Sequence, residues 1–255
     1  MQPTAYPHIN VLLGSLLPQM RTILGGKLIG LYLYGSLVTG DFDDISDVDL
    51  LAATAEDIDE IEFDALDKMQ NDLVLKYPQW ENRLEIAYLS LRALKTFRTE
   101  NSALGIISPG EPFHIIQAGV DWLMNWYMVR EKGVALFGPP PEAIIDPISK
   151  DEFIQAVKAH AKAWRAYFDE MRSRPGQAYA ILTMCRALFT CRNGEQVSKR
   201  QAALWAQKEL PEWSPLINSA LLWRQTSRQQ EVVDHQATLA ESRRFVNHVI
   251  DLVLS

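Results

Sequence analysis

Residues of three types in this chain could together bind a nucleotide and a divalent metal. Gly35 and Ser36 end one apolar run, and Asp47 and Asp49 lie at the start of the next. Glycine lets a backbone approach a ligand closely, and a serine can offer a hydroxyl and an amide to an anion. Two acids two positions apart on a strand point to one face, where their charge is costly unless a cation neutralises it. The spacing therefore predicts a phosphate-binding turn beside a metal site.

A third carboxylate, that of Glu85, lies within another apolar run, residues 83–89. An acid in such a run is unusual, because Glu is rarely buried without a partner. Taken alone, Glu85 fits an edge strand with its side chain in water. Beside Asp47 and Asp49 it fits a group of three acids that holds Mg²⁺ and leaves one carboxylate to accept a proton from an attacking hydroxyl. The sequence thus predicts all three as metal ligands and catalytic residues, with Glu85 as the base.

The composition is that of an ordinary globular protein. The chain has 255 residues, 47 % of them apolar and 22 % charged, with a formal net charge of −7, a length that allows one large domain or two modest ones. No stretch approaches the roughly 20 apolar residues that span a bilayer, and no Lys/Arg run suggests nucleic-acid binding. No signal peptide is predicted, and Cys185 and Cys191 indicate neither a disulfide nor a zinc site. We expect a monomeric cytoplasmic protein.

Hydrophobic periodicity predicts a mixed first half and a helical second half. In the first half it indicates helices at 8–24, 57–77 and 113–131, a short helix from Ser90, strands at 28–34, 48–53, 83–89 and 134–137, and a loop over 101–112. A proline-rich turn after residue 137 favours a domain boundary. The second half suggests helices at 150–172, 177–191, 199–210, 215–228 and 232–253. The predicted fold class is α+β, with a mixed sheet and helices in residues 1–148 and a helical bundle in residues 149–255.

A family resemblance rests on the order of these motifs. A strand, Gly-Ser, ten residues and Asp-x-Asp at a second strand resemble the signature of the nucleotidyltransferase superfamily, whose best-known fold is the polymerase beta palm. Further stretches make the chain similar to the aminoglycoside 3″/9 adenylyltransferases, the streptomycin and spectinomycin resistance enzymes. The stretches are 33–36, 46–51, Glu85, 133–139 with Asp146 and Pro147, 182–186, Gly194, Lys199, 205–206 and 210–211. The likeness runs over most of the chain, with these stretches in the same order.

This resemblance implies an N-terminal nucleotidyltransferase domain and a C-terminal helical bundle, with ATP and Mg²⁺ in the cleft between them. It places Gly35, Ser36 and Ser46 at the nucleotide, together with Arg186 and Lys199 of the helical domain. Cations suit a triphosphate, whereas either one taken alone fits an exposed helix charge. The implied reaction transfers AMP from ATP to a hydroxyl of an aminoglycoside-type substrate, streptomycin or spectinomycin, and releases pyrophosphate.

The acceptor stays open because of the residues just ahead of the 182–186 motif. The family has acidic and aromatic drug contacts there, whereas here no acid occurs between Glu170 and Glu195, and Arg172 and Arg174 are present instead. One alternative is an adenylyltransferase of the same superfamily that acts on another small molecule or on a protein. Another is a nucleotide-binding module without catalysis, which would have no need of three costly acids.

Overall fold

The computed structural model describes residues 2–225 and 234–255. The chain divides into two compact units, Met1–Ile148 and Ser149–Ser255. In the residues described, the first unit contains the strands and the second is built from helices. Across 2–225 and 234–255, none of the helices combines the length and the apolar character needed to cross a bilayer.

The first unit is organised around one mixed sheet. Its strands are β1 (Leu28–Tyr34), β2 (Val48–Thr54), β3 (Leu84–Ser90), β4 (Ser102–Ile107), β5 (His114–Ala118) and β6 (Val134–Phe137). In the described part of the chain the six strands are ordered β5-β4-β3-β2-β1-β6; β2 and β3 are parallel, and the other neighbours are antiparallel. The helices of this unit are α1 (Pro7–Leu24), α2 (Ser36–Thr39), α3 (Glu60–Lys76), α4 (Leu91–Thr96) and α5 (Leu123–Lys132). The topology places the end of β1 and the starts of β2 and β3 at one rim of the sheet.

The central strands β1, β2 and β3 have two different faces. On one face their alternate side chains join the apolar sides of α1 and α3 in the main core: Leu31, Leu33, Leu50, Ala52, Ile86 and Tyr88. Helix α3 starts with a capping box between Asp59 and Glu62, which fixes where it begins. Because successive strand residues point to opposite faces, the polar residues at the other positions do not enter this core.

The structure corrects the prediction for residues 101–131. The expected loop contains β4, in which Leu104 and Ile106 are buried. Gly105 signals a turn in the sequence, yet it lies in the strand, where a Cβ would come within 2.7 Å of the Ile58 side chain. The expected helix is β5 first and becomes α5 only later, since the β-branched pair Ile115 and Ile116 fits an edge strand.

The second unit consists of helices that pack around a central one. They are α6 (Lys150–Tyr167), α7 (Arg174–Asn193), α8 (Lys199–Glu209), α9 (Ser214–Gln225) and α10 (Leu239–Leu254). Helix α7 contacts each of the other four. The fully buried Gln177 of α7 accepts hydrogen bonds from the hydroxyls of Thr238 and Ser242 at 2.8 and 2.9 Å, which ties the start of α10 to α7.

Two predicted helices of this unit end differently in the structure. The helix expected over 150–172 stops at Tyr167 and continues as one 3-10 turn, Phe168–Glu170. The helix expected over 232–253 starts only at Leu239, because residues 234–238 form turns. Residues 226–228 and 232–233 of the predicted helices lie outside the described residues.

Candidate active site

One row of side chains crosses the three central strands at the rim described above. Tyr34 at the end of β1 pairs with Asp49 of β2, and Asp49 pairs with Glu85 of β3. Paired residues on neighbouring strands share a face, so both carboxylates point away from the core of α1 and α3. The structure therefore brings Asp49 and Glu85 side by side. It also excludes the edge-strand alternative for Glu85, because β3 lies between β2 and β4.

Tyr34 forms the third member of this row. Its hydroxyl donates to Glu85 Oε1 at 3.3 Å. Burial raises the pKa of Tyr34 well above its usual value, and the nearby carboxylates of Glu85 and Asp49 raise it further. The phenol therefore stays protonated and available as a donor to Glu85. The sequence analysis misses this role, because an aromatic residue at the end of an apolar strand is typical of ordinary packing.

Gly35 explains how the turn after β1 lies so close to Asp49. Its φ of 71° is in the left-handed region that favours glycine. A Cβ at this position would lie 1.7 Å from Asp49 Oδ2 and 2.6 Å from Asp49 Cγ. The Asp49 carboxylate thus occupies the space that any larger residue would need. Ser36 follows as the first residue of the short helix α2, so the predicted turn and one predicted metal ligand are adjacent.

Asp47 lies directly before β2 and not within it. It is one residue outside the pairing of β2 with β3, which begins at Val48. The preceding turn is closed by Ser46, whose hydroxyl donates to Asp43 Oδ1 at 2.7 Å and accepts from the Asp43 amide at 3.1 Å. This buried hydroxyl helps to shape the approach to β2. A contact between Ser46 and the nucleotide stays a prediction.

Arg83 is a second residue near the acids that the sequence analysis passes over. It is 7 % exposed, and its guanidinium donates to the Ser46 carbonyl oxygen from Nε at 3.0 Å and from Nη2 at 2.7 Å. It also lies over the ring of Trp80, 4.6 Å from the ring centre. In the sequence, the signal for this contact is an arginine two positions before an acid, at the start of an apolar run.

The donor atoms suit Mg²⁺ when a nucleotide supplies the remaining oxygens. In residues 2–225 and 234–255, no three His, Cys, Asp or Glu side chains form a group that could hold a metal by themselves. However, Mg²⁺ in nucleotide enzymes is usually bound through one or two carboxylates together with substrate phosphates. Asp49 and Glu85 are hard oxygen donors on one face beside Gly35, which is the donor chemistry that such a site needs.

Arg186 and Lys199, which the resemblance assigns to the nucleotide, belong to the second unit. Arg186 lies in α7. Burial lowers the pKa of His160, and the charge of Arg186 lowers it further. Lys199 begins α8, and its Nζ is 4.0 Å from the centre of the Tyr179 ring. A contact between either cation and the nucleotide stays a prediction.

Comparison with known proteins shows similarity over the second unit and over nearly the whole chain. Residues 143–251 match the family described as aminoglycoside adenylyltransferase, C-terminal domain. Proteins named aminoglycoside (3″) (9) adenylyltransferase from Shigella flexneri and Escherichia coli are each 24 % identical over 98 % of this chain and 96 % of their own length. One from Rhizobium radiobacter is 24 % identical over 94 % of this chain and 91 % of its own. The chain is thus similar to the aminoglycoside adenylyltransferases, in residues 143–251 through the family description and over nearly its whole length through these relatives.

A solved structure has a fold similar to that of this chain. The crystal structure of spectinomycin adenyltransferase AAD(9) from Enterococcus faecialis, with ATP and spectinomycin, covers 96 % of this chain and 99 % of its own, with a TM-score of 0.76 and 17 % identity. The match confirms the predicted α+β fold, in which a mixed sheet with helices is followed by a helical region. The predicted enzyme class, nucleotidyltransferase, is confirmed by the named relatives.

We expect Gly35→Ala to remove nucleotide binding, because the new Cβ must displace the Asp49 carboxylate. Gly40→Ala is the matched control, since Gly40 has a φ of 79° and a Cβ there meets nothing within 4 Å. Both changes should cost about 1–3 kcal/mol of unfolding free energy for the left-handed backbone, measured by urea unfolding. Only Gly35→Ala should lower ATP affinity with Mg²⁺ in calorimetry, and equal affinities for the two variants would contradict the Asp49 contact.

We expect Tyr34→Phe to lower kcat about tenfold, because a hydrogen bond to a charged group contributes about 1.5 kcal/mol or more. Tyr32→Phe is its control on the same strand, since the Tyr32 hydroxyl donates at 3.0 Å to the Pro139 carbonyl oxygen and not to a carboxylate. Steady-state kinetics of AMP transfer would compare the two variants. A Tyr34→Phe enzyme with the kcat of Tyr32→Phe would show that the phenol does not assist Glu85.

Proposed function

We propose that this protein transfers AMP from ATP, with Mg²⁺, to a hydroxyl of an aminoglycoside-type antibiotic, streptomycin or spectinomycin, and releases pyrophosphate. The observation that carries the proposal is the row of Tyr34, Asp49 and Glu85 beside Gly35. Relatives that match nearly the whole chain bear names with this activity. The site and the family thus support the same chemistry.

Asp47, Asp49 and Glu85 are the residues that would hold Mg²⁺ with the nucleotide. When bound, the ion would neutralise phosphate charge and polarise the phosphorus that is attacked. Gly35 and Ser36 would offer their backbone to the phosphates, because the absence of a side chain at Gly35 leaves the chain open to close approach. Asp49 would be held for this task by its contact with the Gly35 backbone.

Glu85 would act as the general base. Its carboxylate takes the proton of the acceptor hydroxyl as the hydroxyl oxygen forms a bond to the α-phosphorus. The bond between this phosphorus and the bridging oxygen then breaks, and pyrophosphate leaves with the electron pair. The Tyr34 hydroxyl orients Glu85 through the hydrogen bond to Oε1. Alignment of the reactants and neutralisation of charge would supply most of the acceleration.

Arg186 and Lys199 are proposed to bind the phosphates, on the strength of the family resemblance. Burial and the charge of Arg186 lower the pKa of His160, so His160 stays neutral at pH 7 and adds no further charge beside Arg186. The Nε2 of His160 instead accepts a hydrogen bond from the Trp164 indole at 2.9 Å. Lys199 is held over Tyr179 by a cation–π contact. Both cations therefore have defined surroundings within the second unit.

The choice of acceptor has to be decided by experiment. Arg172 lies just before α7 and Arg174 is its first residue, and no acid occurs between Glu170 and Glu195. This charge favours an acceptor with fewer positive groups than streptomycin, and hence spectinomycin or a less cationic molecule. The alternative of an adenylyltransferase with another small molecule or a protein as its acceptor rests on the same observation.

A screen of pyrophosphate release with ATP and Mg²⁺ tests the proposal. We expect release with spectinomycin, streptomycin or another aminoglycoside, and a mass gain of one adenylyl group on the drug. Reactions without acceptor and without Mg²⁺ are the controls. Transfer of AMP to a protein, or to no acceptor hydroxyl at all, would overturn the proposed substrate class.

We expect Glu85→Gln to lower kcat by about 10² to 10⁴, because it removes the general base, while ATP affinity stays within a few-fold of wild type. Gln keeps an oxygen that can accept from Tyr34, so the row remains intact. Glu81→Gln is the control, since Glu81 is exposed and lies just before β3. Rapid-quench kinetics and calorimetry would measure the two effects. Near-normal turnover of Glu85→Gln would rule out Glu85 as the base.

A further inference from the structure

Arg83 holds the backbone on both sides of Asp47. On one side its guanidinium donates to the carbonyl oxygen of Ser46 from Nε at 3.0 Å and from Nη2 at 2.7 Å. On the other side its main-chain carbonyl accepts from the amide of Val48 at 2.8 Å. Asp47 is the single residue between these two attachment points. The same side chain also donates to the Asp43 carbonyl oxygen at 3.3 Å, which secures the turn that leads into the Asp-x-Asp segment.

The guanidinium itself is fixed by its surroundings. It lies 4.6 Å from the centre of the Trp80 ring and 5.9 Å from that of Phe42, and Arg83 is 7 % exposed. The Arg83 amide donates to the Trp80 carbonyl oxygen at 3.1 Å, so main chain and side chain are both engaged. A planar fork between ring faces has little freedom to move. The carbonyl oxygen that it binds is therefore held in one place.

Burial of a charge at this position needs a reason. A buried cation carries a desolvation cost of several kcal/mol, and an apolar residue of similar size is often at least as stable. Arg83 belongs to the chain segment that enters β3, two residues before Glu85. One short segment thus presents Glu85 to the site and fixes the backbone at Asp47.

We infer that Arg83 is a positioning residue for the nucleotide-bound metal: through Ser46 and Val48 it sets the place of Asp47, and so tunes how tightly ATP binds with Mg²⁺. The inference rests on the proposed function. Arg83 does not touch the reacting atoms, and it acts through the backbone that carries a metal ligand. Residues that orient metal ligands in this way change metal affinity about 10- to 100-fold when replaced.

Calorimetry of ATP binding with Mg²⁺ and with EDTA isolates this effect, because a role in folding alone would change both titrations together. We expect Arg83→Lys to weaken ATP binding with Mg²⁺ about tenfold and to leave binding in EDTA unchanged. A lysine keeps the charge over Trp80 but cannot place two donors on one carbonyl oxygen. Asp47→Asn gives the reference for complete loss of this ligand.

Arg98→Lys is the matched control. The Arg98 Nη2 donates to the Pro147 carbonyl oxygen at 2.7 Å, and its guanidinium lies 4.6 Å from the centre of the Phe97 ring. It therefore shares a carbonyl contact and a ring contact with Arg83, but it lies in a more exposed place and is not attached to Ser46 or Val48. We expect wild-type affinity with and without Mg²⁺. A loss equal to that of Arg83→Lys would overturn the inference.

Arg83→Met serves if Arg83→Lys does not fold, because Met keeps an unbranched stem on Trp80 without a buried charge. A folded Arg83→Met or Arg83→Lys protein with the full Mg²⁺-dependent gain in ATP affinity would overturn the positioning role. In that case a wild-type protein that binds ATP with Mg²⁺ still supports the proposed function. If wild type gains no ATP affinity from Mg²⁺, the proposed function and the inference both fall.

Discussion

The repulsion between two aligned carboxylates is the constraint that the first unit has to satisfy. Parallel pairing of β2 with β3 sets Asp49 directly beside Glu85, and like charges in such a pair are destabilising without a partner. Tyr34 offers Glu85 one donor, but a phenol carries no positive charge. A cation brought by the substrate would relieve the repulsion.

Other parts of the first unit follow from this arrangement. The face opposite the acids is closed by α1 and α3, so the sheet gains its apolar burial without covering the carboxylates. The turn after β1 has a glycine because the Asp49 carboxylate fills the space where a side chain would be. The backbone ahead of β2 is secured by Arg83 from the neighbouring strand. Together these features fix the backbone at the rim of the sheet that carries Asp49 and Glu85.

The sequence predicts the elements that carry the acids because their signals are local. The runs that became β1, β2 and β3 are apolar, short and bounded by turn residues, and Asp-x-Asp with Gly-Ser is a specific combination. The sequence does not predict β4 and β5, because Gly105 resembles a turn and because residues 113–131 have apolar positions at helical spacing. Pairing with a neighbouring strand decides the structure there, and no local pattern encodes that pairing.

Contacts between residues that are far apart in the chain are also not predicted by the sequence. Tyr34 and Glu85 are separated by 51 positions, and Arg83 binds a carbonyl oxygen 37 positions earlier. Tyr and Arg are common residue types in strands and turns, so their types do not point to these roles. The register of three strands creates the contacts. In the second unit, likewise, only the packing of α7 shows that Arg186 has a histidine for a neighbour.

The antiparallel order of β1 and β2 also places two of the connecting segments at the rim of the sheet that is opposite to Asp49 and Glu85. Because β1 runs against β2, the segment before β1 and the segment after β2 meet at the far rim, where the Ala55 amide donates to the Lys27 carbonyl oxygen. Five residues of β2 lie between Asp49 and Ala55, and the six steps of the strand correspond to roughly 20 Å. Natural length variation, or an inserted reporter peptide, can be absorbed at the far rim while the rim that carries Asp49 and Glu85 keeps its geometry.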